Sequence, residues 1–225
     1  MLHKIGIAAV AGVIALVAGH AHGYQADPGG NSAPQAAQAA TPRDAAAEDR
    51  AVDAVASIAG GALRVYQLPP QGRLQAMTAL VERSVDWGFV LRNSVPPELV
   101  AVLNDNERRA LAHSLLAVTA GGYVSAFQGY QGEQIDVVSV NTLGPGIVRV
   151  GTRLRGEKMD EAIAIDWVVA GLDQNRPALR DLIIDSNSML ASQQLVLGTL
   201  WDEVSQDKAR FLQRMASPDP WGDGQ

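Results

Sequence analysis

The sequence predicts an α+β domain in which helices cover one face of a small antiparallel sheet. Three observations lead there. Four segments between residues 133 and 187 alternate apolar and polar residues with the period of two expected of half-buried strands. The connectors between them are short, which favours a meander. Stretches on both sides place apolar residues three and four apart, the period of an amphipathic helix. Helices, then strands, then helices in one chain pack as α+β layers.

The chain opens on a basic "MLHK", an apolar run "IGIAAVAGVIALVAG" over residues 5–19, and "HAHG" with small residues Ala21 and Gly23. That is the three-part plan of a secretory signal peptide, with cleavage expected near Gly23–Tyr24. Fifteen apolar residues fall short of the roughly 20 needed to span a bilayer. With no Cys in the chain, there is neither a lipid-anchored cysteine nor a disulfide, which fits a bacterial periplasm. Cleavage removes Lys4 and no acid, so Lys+Arg falls from 18 to 17 against 24 acids, a net −7. Residues 24–42, rich in Ala, Gln, Pro and Gly, read as a flexible spacer. A single domain is expected over 43–216, with a disordered tail over 217–225.

Within the domain, Thr41-Pro42 is a candidate helix start. Val52, Val55, Ile58, Ala59, Ala62 and Tyr66 make the first amphipathic stripe, interrupted by Gly60-Gly61. Pro69-Pro70 breaks it. Leu74, Met77, Leu80 and Val81 mark a second helix, and "VDWGFVLRNSV" (85–95) a short helix or turn before Pro96-Pro97. Asn104 with Glu107 three residues on forms a capping box. It starts a long helix expected to run to about Tyr130. Leu111, Leu115, Val118 and Gly122 form one stripe on it, and Leu116, Thr119, Tyr123 and Phe127 another, so most of its circumference is buried. Gly121-Gly122 in mid-helix costs about 1 kcal/mol per glycine relative to Ala. Either a close helix–sheet contact or room left for a ligand explains such a pair.

The four strands are expected at 133–141, 147–155, 161–171 and 179–187. The second is the clearest, with Val148, Val150, Thr152 and Leu154 on one face and Arg149, Gly151, Arg153 and Arg155 on the other. "LGPGI" (143–147) reads as the hairpin turn joining it to the first strand, not as a phosphate loop, since a third glycine and a following helix are missing. A helix near Ser188 carries Met189, Leu190, Leu197, Leu200 and Trp201. A last helix holds Ala209, Phe211, Leu212 and Met215.

Composition narrows the chemistry. A hydrophobic fraction of 47% with mean hydropathy +0.02 supports a packed core, and aromatics at 5% make that core aliphatic. The charge of −6 excludes a nucleic-acid footprint. After cleavage His113 is the one histidine left, so a His-based metal cluster within one chain is excluded. No Cys nucleophile and no G-x-S-x-G exist. Asp166 and Asp181 on adjacent strands are the remaining candidates for paired-carboxylate chemistry, as in a small hydrolase or isomerase. A solvated or hydrogen-bonded strand aspartate is the simpler account and is preferred, since Asp166 falls on the polar phase of its strand.

Four segments carry a family resemblance. They are "VDWGFVLRNSV", "NERRALAHSLLAVTAGGYVSAFQGYQGEQIDV", "RDLIIDSNSM" and "FLQRM". In their order, over about residues 44–215, the chain resembles the MlaC, or toluene-tolerance, family of periplasmic phospholipid-binding proteins. Asp181, Ile183 and Ser188 sit as in the family's Asp-x-x-x-x-Gly-x-Ser run. Ser186 replaces that run's Gly, the Trp before the run is missing, and Gln194 stands where an Arg often follows. A related branch of the family is associated with hopanoid lipids. The resemblance implies a cone-like domain enclosing an apolar cavity, no catalysis and no cofactor or metal. It also implies a monomer that takes a phospholipid between an inner-membrane ABC transporter complex and an outer-membrane lipoprotein complex. Such a carrier would serve outer-membrane lipid asymmetry. The residues expected to wall the lipid are Val85, Phe89, Leu115, Thr119, Tyr123, Phe127, Ile163, Ile165, Trp167, Ile183 and Met189. The alternatives are a hopanoid-associated carrier and a non-catalytic periplasmic interaction module whose apolar faces simply fill a core.

Overall fold

The computed structural model describes residues 44–126, 132–156, 159, 161–217 and 220. The expected signal peptide, the spacer and most of the expected tail lie outside them, as does Phe127.

Helix α1 (Ala45–Gln67) starts at Asp44, whose carboxylate accepts from Ala47 N at 3.0 Å. The cap is this aspartate, which satisfies an orphan amide of the first turn directly; the candidate start at Thr41-Pro42 lies outside the described residues. Helix α2 (Pro70–Ser84) begins on the proline pair, where a missing N–H is harmless. Leu80 of α2 lies so close to α1 that a Cβ on Gly61 would come within 2.8 Å of it. The Gly60-Gly61 interruption is thus a close approach of two helices. Helix α3 (Trp87–Ser94) is capped by Asp86, which accepts from Phe89 N at 3.0 Å. Helix α4 (Pro97–Val102) follows. Helix α5 (Asp105–Ala126) carries the capping box, with Glu107 N donating to Asn104 Oδ1 at 3.0 Å and Asn104 N to Glu107 Oε2 at 2.8 Å.

Strands β1 (Gln134–Gly144), β2 (Ile147–Arg155), β3 (Ile163–Ala170) and β4 (Ala178–Ile184) form the antiparallel meander in sequence order. Gly146, at φ +65, makes the first turn. A fifth strand, β5 (Asn187–Ser188), is added to the four expected. Its pairing with β4 closes a two-residue turn in which Asp185 (φ 45) and Ser186 (φ 70) are both left-handed. A turn of that type twists with the strands but requires positive φ at both central residues. Asp185 is held there by accepting from Ala164 N at 3.1 Å, whereas Ser186 carries the cost of a side chain in this region, about 1–2 kcal/mol. Ser186→Gly should therefore raise stability by about 0.5–1 kcal/mol, after the extra flexibility of glycine in the unfolded chain is deducted. Denaturant melts of the two proteins check it, and an unchanged or lowered midpoint would mean that the turn is unstrained.

Helices α6 (Met189–Glu203) and α7 (Lys208–Met215) end the domain. The buried side chains fall into three clusters. Helix α1 covers Val148, Val150, Leu154, Ile165, Trp167 and Val169 of the sheet. Within that layer Thr152 Oγ1 accepts from Trp167 Nε1 at 2.9 Å and donates to Ile165 O at 3.0 Å, so the buried hydroxyl is fully satisfied. A second cluster joins α4, α5, α6 and α7 around Leu99, Leu115, Leu197 and Phe211. A third joins α1, α2 and α5 around Tyr66, Met77, Leu80 and Leu116. As expected from their phase, Arg149, Arg153 and Arg155 lie on the sheet face away from α1. Among the described residues no helix is long and apolar enough to cross a membrane.

Candidate functional site

The three clusters do not merge. Where they meet, a cavity of about 650 Å³ remains, within the size range of ligand sites, about 300–1,000 Å³. Helix α5 supplies one wall through Val118, Thr119, Gly122 and Tyr123. Strand β4 supplies Leu179 and Leu182, and α6 supplies Met189, Leu190 and Val196. Val85 and Trp87 close one side, and Met215, Ser217 and Pro220 another. Leu74 of α2 lines the cavity and is itself half exposed, which marks an opening to solvent. Of the residues after α7, Ala216, Ser217 and Pro220 are part of this wall. Pro220 is buried, and its carbonyl accepts from Arg214 Nε at 2.8 Å.

Gly121 and Gly122 both line the cavity, and a Cβ built on either meets no atom within 4 Å. The contrast with Gly61 decides between the two explanations of the mid-helix pair. Glycine here admits no neighbouring element; it leaves space.

The two charged side chains of the wall, Arg180 and Asp181, are both engaged. Arg180 Nε donates to Asp86 Oδ2 at 3.0 Å, and its guanidinium lies 4.5 Å from the Phe89 ring centroid. Asp181 Oδ1 accepts from Leu182 N at 2.8 Å and Leu190 N at 3.0 Å. Its other oxygen accepts from Ser188 Oγ at 2.7 Å, and Ser188 in turn caps α6 by accepting from Ala191 N at 3.0 Å. Burial, and to a lesser degree the Asp181 charge, pushes the Tyr123 hydroxyl up to about 12. It stays neutral at any physiological pH. Asp166 is not on the cavity wall, and it faces Gly151 across the sheet. The two aspartates therefore do not converge on a common substrate position. His113 is an exposed residue of α5, and among the described residues no group of three or more potential metal ligands occurs.

The family model for the MlaC protein matches residues 50–208. The chain belongs to the MlaC family. No curated protein sequence matches it. Among solved structures it is similar to a phospholipid-binding protein from Ralstonia solanacearum, determined in complex with a phospholipid. The two are 12% identical, with a TM-score of 0.59 over 76% of this chain and 99% of that one. At that identity the likeness establishes a shared MlaC fold.

In this MlaC-family chain the Asp-x-x-x-x-Gly-x-Ser positions have a structural role. Asp181 and Ser188 lock the β4–β5 hairpin to the start of α6. Of the residues expected to wall the lipid, Val85, Thr119, Tyr123 and Met189 line the cavity. Phe127 lies outside the described residues, and the remaining six are absent from the lining. Ile165 and Trp167 are buried beneath α1, with Ile163 packed beside them. Leu115 is fully buried in the cluster of α4 to α7. Phe89 stacks under Arg180. Ile183 pairs with Asp166 and Ser188 and is absent from the lining. The physical reason is that α1 covers β2 and β3, which leaves β4 as the strand that reaches the cavity.

Sequence reasoning missed Leu179, Leu182 and Trp87. The β3–β4 register shifts between Val168 and Val169, so Leu179 and Leu182, three apart, pair with Val169 and Trp167 on one face. A strict period of two cannot place them together.

Proposed function

We propose that this chain is a periplasmic lipid carrier. It takes one phospholipid between the inner and outer membranes as the soluble component of an ABC-type lipid transport system. The observation that carries this reading is the cavity, an apolar space held open by Gly121-Gly122 in a family whose fold is shared with a protein solved around a phospholipid. Exposing a methylene to water costs about 0.8 kcal/mol, so two tails of some 15 methylenes cost roughly 25 kcal/mol. A lipid meets that barrier if released freely. A carrier must therefore hand its cargo over while docked, which calls for an inner-membrane transporter complex on one side and an outer-membrane lipoprotein complex on the other. The tails supply most of the affinity. Arg180 is already paired with Asp86, which leaves little cationic grip for a particular head group. Asp181 lies on the cavity wall and Asp166 does not, so this pair of aspartates does not support the alternative of hydrolysis.

Native mass spectrometry of protein purified from cells tests the assignment. The expected spectrum shows one phospholipid per monomer. An empty protein would favour a plain interaction module, and a bound hopanoid would overturn the phospholipid reading.

A further inference from the structure

Helix α7 ends at Met215, and beyond it Ala216, Ser217 and Pro220 lie on the cavity wall. Ala216 is exposed, whereas Pro220 is buried. Ala117 of α5 also lines the cavity and is exposed, so the cavity meets solvent beside both elements. Pro220 is thus a buried part of a wall whose near neighbour in the chain reaches the surface. What fixes it is a local contact. Arg214 Nε, in the last turn of α7, donates to the Pro220 carbonyl at 2.8 Å. The bonds that finish the helix, Ala216 N to Leu212 O and Ser217 N to Arg214 O, both 3.0 Å, stop short of it. Pro220 belongs to no helix or strand, so moving it off the wall unwinds no turn and breaks no strand pairing. Segments held in this way open at a small fraction of the global unfolding free energy, while a bond from a charged donor is strong enough to define one closed position.

We propose that Pro220, pinned by Arg214, is a latch on the lipid cavity: phospholipid loads and leaves when this contact opens, and the Arg214–Pro220 bond sets the rate of exchange. The inference rests on the carrier reading above and adds to it a control over exchange. It also gives a task to the arginine of "FLQRM". The latch bounds the loaded and the empty cavity alike. Weakening it therefore destabilises both closed forms by the same amount, which speeds passage in both directions and leaves the binding equilibrium where it was.

The test follows transfer of a fluorescent phosphatidylcholine between vesicles and the full-length protein by stopped flow, with equilibrium binding measured on the same samples. Arg214→Met keeps an apolar stem and removes the donor. It should speed both uptake and release about tenfold, the effect of one lost charge-assisted bond, with affinity within about twofold of wild type. Pro220→Gly leaves Arg214 in place and frees the backbone; it should act in the same direction, and it decides the matter by the same two rates if Arg214→Met does not fold. The chain has no cysteine, so a nitroxide on Ala216→Cys reports this segment alone and should become more mobile when Arg214→Met is added. Wild-type exchange rates in the folded variants, or a nitroxide whose mobility does not change, would overturn the proposal. Faster release with unchanged uptake would overturn it too, since Pro220 would then be a passive contact that only holds the lipid. Failure of wild type to take up phospholipid at all would instead remove the carrier reading on which the inference rests.

Discussion

Gly122→Leu is expected to leave the fold intact, raise stability by up to about 1 kcal/mol and lower phospholipid affinity about a hundredfold. The two effects have opposite signs because they have separate causes. Glycine in a helix interior is less favourable than leucine by nearly 1 kcal/mol, and a Cβ at position 122 meets nothing within 4 Å. The new side chain therefore enters the cavity without a clash. Once there it displaces three or four methylenes of an acyl chain, and at about 0.8 kcal/mol each the lost burial comes to about 3 kcal/mol. That corresponds to a factor somewhat above one hundred. Gly122→Ala is the control, with a stability gain of similar sign and a small loss of lipid. Urea melts measure the first effect and displacement of a fluorescent lipid the second. A leucine variant that binds lipid like wild type would show that this stretch of α5 does not face the tails.

The second large effect is on stability alone. Asp181→Ala is expected to cost about 3–4 kcal/mol. The carboxylate accepts from two backbone amides and the Ser188 hydroxyl, and bonds to a charged group contribute about 1.5–3 kcal/mol each before their mutual dependence is counted. It also lies at the positive end of the α6 dipole, which adds a few tenths to 1 kcal/mol. Asp181→Asn retains one oxygen for the two amides and should cost about half as much. Thermal melts would show the alanine variant lower by roughly 8–12 °C for a chain of this size. A drop of less than about 2 °C would mean that the β4–β5 hairpin and α6 hold their places without this lock.

The elements were legible where their signals are local. The Asn104–Glu107 box reads directly from two residues three apart, and the face of β2 from its alternation, because each depends only on near neighbours in the chain. What a buried face touches is a different matter. Ile165 and Trp167 show the same apolar phase whether a lipid or a helix lies on them, and α1, more than 90 residues earlier, is what lies there. Leu115 and Val118 share a stripe of α5, yet the first is sealed among helices and the second lines the cavity. The Gly121-Gly122 pair was singled out correctly as informative, but only the distances around it distinguish a tight contact from a space. Trp87 reads in the sequence only as part of a short helix or turn, since its place on the cavity wall depends on elements far away in the chain.

The meander order of the sheet has a consequence for how the molecule moves. Every strand pairs with its neighbour in the chain, so the hydrogen-bonded layer and the α1 cluster on it form one cooperative unit closed by short loops. The cavity is bounded by residues spread from Leu74 to Pro220, and its walls are side chains rather than a ladder of backbone bonds. Separating α6 from α5 breaks no strand pairing. Local opening free energies in a protein range from near zero to the full unfolding value, and this architecture puts the cavity seam and the sheet at different levels of that range. In the proposed carrier, lipid enters and leaves by a sub-global opening while the sheet stays closed, so exchange of lipid and resistance to unfolding are compatible in one small domain.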